Sequence, residues 1–288
     1  MGETPAFKMA SRIIIAVLVI LVGMPFLMMV STSLQTMDEI YGGRMVLIPR
    51  KLQFVNYYHA MQNGSWGRYL FNSLYITVVV TAISLFINAM TGYVFARLRF
   101  KGRDPLFLLL LTGMMIPPQV TMVPVFIMLK SFPLAGGNNL LGSGGNGLIN
   151  TFTGLMLPFI AGSLGVFLCR QFYLGFPDSL DNAARLDGCG RFDIFVRVFL
   201  PLSKPVLASL GILKFTGTWN EYTWPLIMTN SDRMKTVQIA LTMFRDEAEI
   251  LWNQLMAAAL VSSLAIYILF VFLQKYFVAG MMEGSIKE

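Results

Sequence analysis

The amino-acid sequence predicts an all-α, polytopic membrane protein with six transmembrane helices. Hydrophobic residues make up 56% of the chain and charged residues only 13%, with a mean hydropathy of +0.64. A soluble domain of average composition has about 25% charged residues. Six apolar runs are long enough to cross about 30 Å of hydrocarbon, which takes about 20 helical residues. They are residues 13–33, 69–96, 105–129, 148–169, 205–229 and 250–274.

The first apolar run has the basic flank, Lys8 and Arg12, that a signal peptide would also have. No small-x-small cleavage site follows, and the apolar core is too long for a signal peptide. We therefore predict an uncleaved anchor helix followed by a polar segment on the outer side. Together they form the first predicted division of the chain, residues 1–68.

The second run leads directly into four basic residues within 97–103, a cluster typical of a cytoplasmic turn. The third run contains Pro117, Pro118 and Pro124, which are expected to break or bend its helix. A kink beside a translocation path and a kink that serves only packing both fit this pattern. On the first interpretation, Pro117 is a translocation-path candidate.

A glycine-rich loop, residues 131–147, separates the third run from the fourth. Its residues 142–147 match the pattern G-x-G-x-x-G of dinucleotide-binding folds. That motif requires a preceding strand and a following helix in a βαβ unit, whereas apolar runs flank this loop. We therefore do not expect a nucleotide site here. In the fourth run, Gly154, Gly162 and Gly165 are expected to allow close contact between helices.

The fifth run contains two charged residues, Lys214 and Glu221. Charges at membrane depth are expensive and are candidates for function by default. Their spacing of seven residues predicts that both lie on one face of a helix. Lys214 is also close enough to the start of the run for its long side chain to reach the membrane surface.

The distribution of basic residues predicts the orientation. With both ends in the cytoplasm, the inner segments 1–12, 97–103, 170–204 and 275–288 hold thirteen of the 22 Lys and Arg residues. This bias follows the positive-inside rule. It also argues against a nucleic-acid partner, because the net charge of +7 is dispersed over short loops with no basic face.

The sequence contains no Gly-Lys pair for a P-loop and only one histidine, so it predicts neither an ATP site nor a catalytic metal site. It also lacks a nucleophile or acid–base constellation. We therefore predict that the chain is not an enzyme and has no cofactor or metal of its own. If ATP drives the protein, another chain binds it.

A polar stretch, residues 178–205, lies between the fourth and fifth runs. Asp178 or Ser179 can cap a helix that runs to Leu186, and Gly188 and Gly190 are expected to end it with positive φ. A second, amphipathic helix follows and stops at Pro201. Its apolar positions, at i, i+3, i+4 and i+7, are Phe192, Phe195, Val196 and Phe199.

This stretch resembles the cytoplasmic coupling loop of ABC importer permeases, which is named the EAA loop after its Glu-Ala-Ala start. The resemblance rests on Ala183-Ala184, Asp187-Gly188, Leu200-Pro201 and Pro205 at their spacing. Asn182 occupies the position of the motif glutamate and cannot make the charged contact that the family would imply, which leaves substitution by the adjacent Asp181 as an open alternative. A surface helix pair without special function is the alternative.

The resemblance implies the type-1 transmembrane fold of ABC transporters, with a permease core at residues 69–279 and a cytoplasmic tail at 280–288. It also implies a second permease subunit, two ATPase subunits that bind ATP and Mg²⁺, and an extracytoplasmic solute-binding protein. The complex would lie in the inner (plasma) membrane, in contact with lipid. The implied ATPase-coupling residues are Asn182, Ala183, Ala184, Asp187, Gly188, Phe192, Phe195, Phe199 and Pro201.

The segment Trp219-Asn220-Glu221 is similar to one in carbohydrate-type permeases, such as the shorter permease of maltose transporters. It implies import of a sugar, by default an oligosaccharide. The translocation-path candidates in it are Trp219, Asn220, Glu221 and Tyr222. A secondary transporter or channel independent of ATP is the alternative, but it would favour internal repeats and more intramembrane carboxylates than Glu221 alone.

Two further segments have roles implied by the resemblance. The polar outer loop, residues 230–249, is expected to reach the binding protein through Met243, Phe244, Arg245 and Asp246. In relatives, a short glycine-bearing tail enters between the ATPase subunits, which gives that role to Gly280 and Gly284.

Overall fold

The computed structural model describes residues 5–43, 46–245 and 249–285. Within these ranges the chain is helical with connecting loops, and the only bridge is an isolated antiparallel one between Arg245 and Ile250. The predicted all-α class is therefore confirmed. In chain order the α-helices are α1 (Pro5–Ser33), α2 (Met37–Tyr41), α3 (Val55–Gln62), α4 (Trp66–Arg97), α5 (Arg103–Thr112), α6 (Pro118–Lys130), α7 (Phe152–Met156), α8 (Ser163–Leu174), α9 (Ser179–Leu186), α10 (Arg191–Ile194), α11 (Leu200–Leu202), α12 (Lys204–Trp219), α13 (Thr223–Met228), α14 (Val237–Leu241) and α15 (Trp252–Ser285).

Three of the described helices are long and apolar enough to cross a membrane unaided: α1, α4 and α15, over Ser11–Ser33, Trp66–Arg97 and Trp252–Phe272. They correspond to the first, second and sixth predicted spans. Two bent helix pairs raise the number of candidate spans in the described chain to five. A count of six spans is not confirmed in the described residues, because the third run is broken at its prolines, as predicted, and the fourth and fifth runs are interrupted as well.

The interruption of the third run occurs at the predicted prolines. Helix α5 ends at Thr112, and α6 begins at Pro118 with Pro117 as its N-cap residue. Proline fits there because the first helical N–H groups have no intrahelical acceptor. Pro124 lies inside α6 without ending it.

The fourth and fifth runs are bent as well. In the fourth, α7 continues as a 3₁₀ turn over Leu157–Phe159 and meets α8 at 46°, after Gly162 in an extended conformation. In the fifth, α12 ends at Trp219 and α13 starts at Thr223. The polar residues between them therefore lie outside any helix.

The chain divides into two compact units. The first comprises Met1–Trp66 and Ala240–Leu264, and the second Gly67–Ile239 and Ala265–Glu288. The first unit ends close to the predicted division at residue 68, but it also includes residues 240–264, which the sequence analysis assigned to the permease core. The amide of Asn56 organises its interior, donating to the carbonyls of Ser33 and Gln35, both at 2.9 Å.

Two apolar clusters lie among the described residues of the second unit. One is built around Ile76, Val80, Leu155, Trp224 and Met228. The other surrounds the predicted coupling stretch and is described with it below. Helix α4 contributes a buried polar stripe to this unit, in which Ser73, Thr77, Ser84 and Asn88 are at most 3% exposed.

The glycine-rich loop is held by Asn138 rather than by a strand. The amide nitrogen of Asn138 donates to the carbonyls of Lys130 and Phe132, and its oxygen accepts from the N–H of Gly145. Gly136, Gly142 and Gly147 have positive φ, and a Cβ on any of them would meet backbone atoms. The flanks are helices, as predicted, so the G-x-G-x-x-G pattern is not a dinucleotide motif here.

Candidate functional site

Helix α9, at the start of the predicted coupling stretch, is amphipathic and rests on the body of the second unit. Asp181 and Ala184, three residues apart, are its buried positions. Asn182, Ala183 and Asp187 are exposed. Three predicted coupling residues therefore lie on the accessible side of α9, whereas Ala184 serves its packing.

The guanidinium of Arg97, the last residue of α4, anchors α9. Its Nε donates to Asp181 Oδ2 at 2.8 Å, and its Nη2 also contacts that oxygen. Nη1 donates to the carbonyl of Phe176 at 3.0 Å, and Nη2 to that of Pro177 at 3.2 Å. The Arg97 and Asp181 side chains are only 5% and 9% exposed. A charge pair this buried needs such additional hydrogen bonds to offset its desolvation.

Asp178 occupies the N-cap position of α9, but its side chain does not cap the helix. Its backbone is in the α region, and Oδ1 lies 3.0 Å from Arg97 Nη2 instead. The predicted capping role of Asp178 is thus wrong, because a guanidinium offers its carboxylate a charge-assisted partner.

Gly188 ends α9 with φ of +78°, as predicted. The N–H of Cys189 donates to the carbonyl of Ala184, and that of Gly188 to the carbonyl of Arg185, both at 3.0 Å. These bonds form a Schellman motif. Gly190 was expected to have positive φ too, but its φ is −69°, because it is already the extended N-cap residue of α10.

The second helix of the stretch turns its aromatic face inward. It comprises α10, a π-helical turn over Phe195–Phe199, and α11. Phe195 and Phe199 are 1% and 0% exposed and pack with Tyr93 and Tyr173 in the second apolar cluster. Their predicted role as contacts for a partner ATPase is therefore corrected, because their own chain already covers them.

The helix also continues past the predicted stop at Pro201, which is exposed. It ends at Ser203, where the chain turns by 77° into α12. The hydroxyls of Ser203 and Tyr173 lie 2.7 Å apart at this bend, and Ser203 is fully buried.

Two accessible apolar side chains, Leu186 and Phe192, flank the Gly188 turn. Leu186 is 89% exposed and Phe192 61%. The motif and the helical periodicity predict Phe192 as a contact residue but not Leu186. A helical wheel could have found it, since Leu186 is five residues after Asp181 and two after Ala184, off the buried face of α9.

The predicted translocation-path residues do not form one group. Trp219 is buried and stacks on Phe215 with a centroid separation of 5.9 Å, while Asn220 and Tyr222 are exposed. Glu221 lies beyond the end of α12, and its Oε1 accepts from the N–H of Trp224 at 2.9 Å. The expectation that Lys214 and Glu221 share one helix face is therefore wrong.

Glu221 lines a cavity of about 350 Å³ together with residues of α6 and α13. Its polar neighbours there are Gln119, Thr121 and Thr223. Pro118 also lines this cavity, whereas Pro117, the residue selected from the sequence, is absent from its lining.

The predicted binding-protein contacts follow α14. Phe244 is 1% exposed and stacks on Trp66 at 5.8 Å within the first unit, so it is not available to a partner. Arg245 is exposed and Met243 half-buried. Asp246 lies outside the described residues.

Asp232 and Tyr69 form a contact at another outer-loop position. The Tyr69 hydroxyl donates to Asp232 Oδ1 at 2.7 Å, and Lys235 Nζ lies 3.0 Å from the same oxygen. The hydrogen bond from Tyr69, followed by that from Lys235, lowers the pKa of the Asp232 carboxyl.

Comparison with known proteins identifies one family and full-length relatives. Residues 88–283 match the model of the binding-protein-dependent transport system inner membrane component. The arabinooligosaccharides transport system permease protein AraQ of Bacillus subtilis is 33% identical, covering 98% of this chain and 96% of the relative. The sn-glycerol-3-phosphate transport system permease protein UgpE of Agrobacterium fabrum is 29% identical, covering 98% and 97%.

A solved structure has the same fold. It is a chain of a bacterial ABC transporter involved in the import of the acidic polysaccharide alginate, with a TM-score of 0.80 and 20% identity. The match covers 96% of this chain and 99% of that one.

Proposed function

The chain belongs to the family of binding-protein-dependent transport system inner membrane components, and we propose that it imports an oligosaccharide as the permease subunit of its transporter. As an ABC importer permease it is a transport subunit, not an enzyme, and the ATP-independent alternative has no support. The observation that supports an oligosaccharide as the substrate is the 33% identity to AraQ over 98% of the chain.

The partners we propose are a second permease, two ATPase subunits that bind ATP and Mg²⁺, and an extracytoplasmic solute-binding protein. The second permease lies in the inner membrane with this chain, and the two ATPase subunits dock on the cytoplasmic side, where both ends of this chain lie. The thirteen basic residues on that side support this orientation.

Residues 178–205 transmit the movement of the ATPases to the membrane helices. The contact surface we propose is the exposed side of α9 and the Gly188 turn, with Asn182, Ala183, Asp187, Leu186 and Phe192. Arg97 connects this surface to α4, which is 32 residues long. A shift of α9 is therefore passed to a whole span through a buried, multiply hydrogen-bonded joint. The two transporter states then differ in how the ATPases hold this surface.

The cavity at Glu221 is the part of this chain that we assign to the translocation path. A carboxylate and hydroxyl groups can exchange hydrogen bonds with sugar hydroxyls at membrane depth. On the outer side, Arg245 and Met243 are the contacts for the binding protein that remain accessible. Gly280 and Gly284 lie within α15, which continues to Ser285, so the proposed ATPase contact at this end is helical.

Uptake by the reconstituted transporter tests this function. The assembled complex is placed in proteoliposomes with its binding protein and ATP, and uptake of labelled arabinooligosaccharides is compared with that of sn-glycerol 3-phosphate. We expect uptake of the oligosaccharide that requires ATP and the binding protein. Uptake of glycerol phosphate alone would support the UgpE-like alternative, and uptake without ATP would contradict the importer assignment.

A further inference from the structure

A cavity of about 520 Å³ lies beside α9 and the end of α4, and of its basic side chains only Arg97 has a role in the proposed transport cycle. Its lining includes five arginines and two aspartates, so its side chains have an excess of positive charge. The arginines are Arg97, Arg99, Arg103, Arg185 and Arg191.

Three of these arginines have no counter-ion among the residues that the structure describes. Arg97 is engaged by Asp181 and Asp178, and Arg103 pairs with Asp104 at 2.9 Å. Within the described parts of the chain, the side chains of Arg99, Arg185 and Arg191 form no ion pair or hydrogen bond. Like charges around one cavity repel each other, so an anion placed among them would be stabilised.

The arginines favour an anion, whereas Asp181 requires a hydrogen-bond donor. Its side chain is more than nine-tenths buried and lines the cavity, and Oδ1 has no hydrogen-bond partner in the described structure. A buried carboxylate oxygen without a donor is costly. The occupant that satisfies the whole cavity therefore carries both an oxyanion and a hydroxyl donor.

The surroundings of the cavity indicate where such an occupant comes from. Phe100, between two lining arginines in the sequence, is 39% exposed. Leu106 and Leu109, in the helix that starts at Arg103, are 49% and 67% exposed. Basic groups beside exposed apolar side chains at the end of a membrane span match a phospholipid, whose phosphate adjoins its acyl chains.

We propose that this cavity binds the headgroup of an anionic phospholipid. The phosphate contacts Arg99, Arg185 and Arg191, and a headgroup hydroxyl donates to Asp181 Oδ1. Phosphatidylglycerol has both groups. Since Asp181 is also the partner of Arg97, a bound lipid reinforces the joint between α4 and α9.

Native mass spectrometry of the full-length chain, delipidated in neutral detergent, measures this binding. Phosphatidylglycerol, phosphatidylcholine and phosphatidylmethanol are titrated separately. We expect a one-to-one complex with phosphatidylglycerol and none with phosphatidylcholine. Phosphatidylmethanol keeps the phosphate charge but has no hydroxyl, so its affinity should be lower by about tenfold, the usual effect of one hydrogen bond to a charged group.

A matched pair of triple variants locates the site. Arg99→Gln/Arg185→Gln/Arg191→Gln should weaken phosphatidylglycerol binding by about a hundredfold, because each basic residue near a membrane surface contributes about fivefold. The control, Lys101→Gln/Arg197→Gln/Lys204→Gln, removes the same charge from exposed positions outside the lining and should bind as the wild type does.

Four outcomes would overturn the proposal, and the fourth comes from a competition with inorganic phosphate. The first is equal weakening by the two triple variants, and the second is equal binding of phosphatidylcholine. The third is loss of the lipid when the ATPase subunits are added to the two permease subunits, which would assign the cavity to a protein partner. Inorganic phosphate is titrated as a competitor, and displacement at equal concentration would identify a soluble phosphate as the occupant instead of a lipid.

Discussion

Arg97 and Asp181 join helix α4 to helix α9 through a buried ion pair, with Arg97 Nε 2.8 Å from Asp181 Oδ2. They are 84 residues apart in the sequence, and both side chains are more than nine-tenths buried. The sequence of each helix predicts that helix by itself, but this contact determines how α9 is held against α4. The joint is therefore the place where we expect coupling to be most sensitive.

Substituting one partner of the joint should lower the free energy of unfolding more than substituting both partners. Arg97→Gln should lower the free energy of unfolding by about 3–5 kcal/mol, since it leaves a buried carboxylate without its counter-ion. Adding Asp181→Asn should restore part of that loss. Thermal unfolding in detergent measures stability, and sugar uptake with ATP hydrolysis measures coupling.

Arg197→Gln is the control for this pair, because Arg197 and Asp193 form an exposed ion pair at 3.6 Å. Exposed pairs contribute about 1 kcal/mol or less. If Arg97→Gln unfolds and transports as Arg197→Gln does, the joint has no special role.

Gly188→Val should uncouple transport without preventing membrane insertion. The residue has φ of +78°, and a Cβ there would meet no atom within 4 Å, so the cost is backbone strain alone, about 1–2 kcal/mol. The strain is relieved by changing the direction of α10, which moves Phe192. ATP hydrolysis and uptake are measured together on the purified complex.

Gly190→Ala serves as the neighbouring control, since its φ is negative and Ala can adopt it. It should transport normally, and Asn182→Glu, which restores the family residue, should also be tolerated. Normal coupling in Gly188→Val would contradict the assignment of residues 178–205 as the coupling stretch.

Substitutions of exposed and of buried apolar residues in the stretch should have different effects. Phe192→Ala and Leu186→Ser change exposed side chains and should weaken co-purification of the ATPase subunits without lowering the unfolding temperature. Phe195→Ala removes a buried ring and should lower the free energy of unfolding by about 3–5 kcal/mol. Unchanged ATPase binding in the Leu186→Ser/Phe192→Ala double variant would exclude these residues from the interface.

Arg245→Glu should reduce uptake stimulated by the binding protein but leave the basal ATPase rate of the complex unchanged. Arg245 is exposed beside the buried Phe244, so the substitution changes surface charge without removing packing. Arg50→Glu, at another exposed position of the first unit, is the charge-matched control. Equal effects of the two substitutions would indicate nonspecific electrostatics.

Low pH should weaken the contact of Asp232 with Tyr69 and Lys235. The pKa of this carboxyl is lowered in the folded protein, first by the Tyr69 hydroxyl and then by Lys235. Its stabilisation is therefore present above the ordinary aspartate pKa of about 3.9 and is lost as pH falls through the lower folded value. Tyr69→Phe should reduce that loss, so wild type and variant should converge in unfolding temperature at low pH. A difference independent of pH would assign Tyr69 a packing role only.

The sequence by itself determined the membrane class, the approximate positions of the apolar runs and the helix–turn–helix form of residues 178–205. These follow from local properties: uncharged length, proline and glycine at turns, and a spaced motif. The positive φ of Gly188 could be predicted because it depends on the local backbone at the end of a helix. The break before Pro118 could be predicted for the same reason.

Tertiary structure decided which of those residues are accessible. An apolar helix face can contact a partner protein or pack into the chain's own core. Helical periodicity does not distinguish the two, so it could not predict the packing of Phe195 and Phe199 against Tyr93. The pairing of Arg97 with Asp181 also depends on a contact between distant segments. Nor could periodicity show that α12 ends at Trp219, which separates Lys214 from Glu221. Local pattern determines which helices form, whereas the partner of each helix face depends on how the helices pack together.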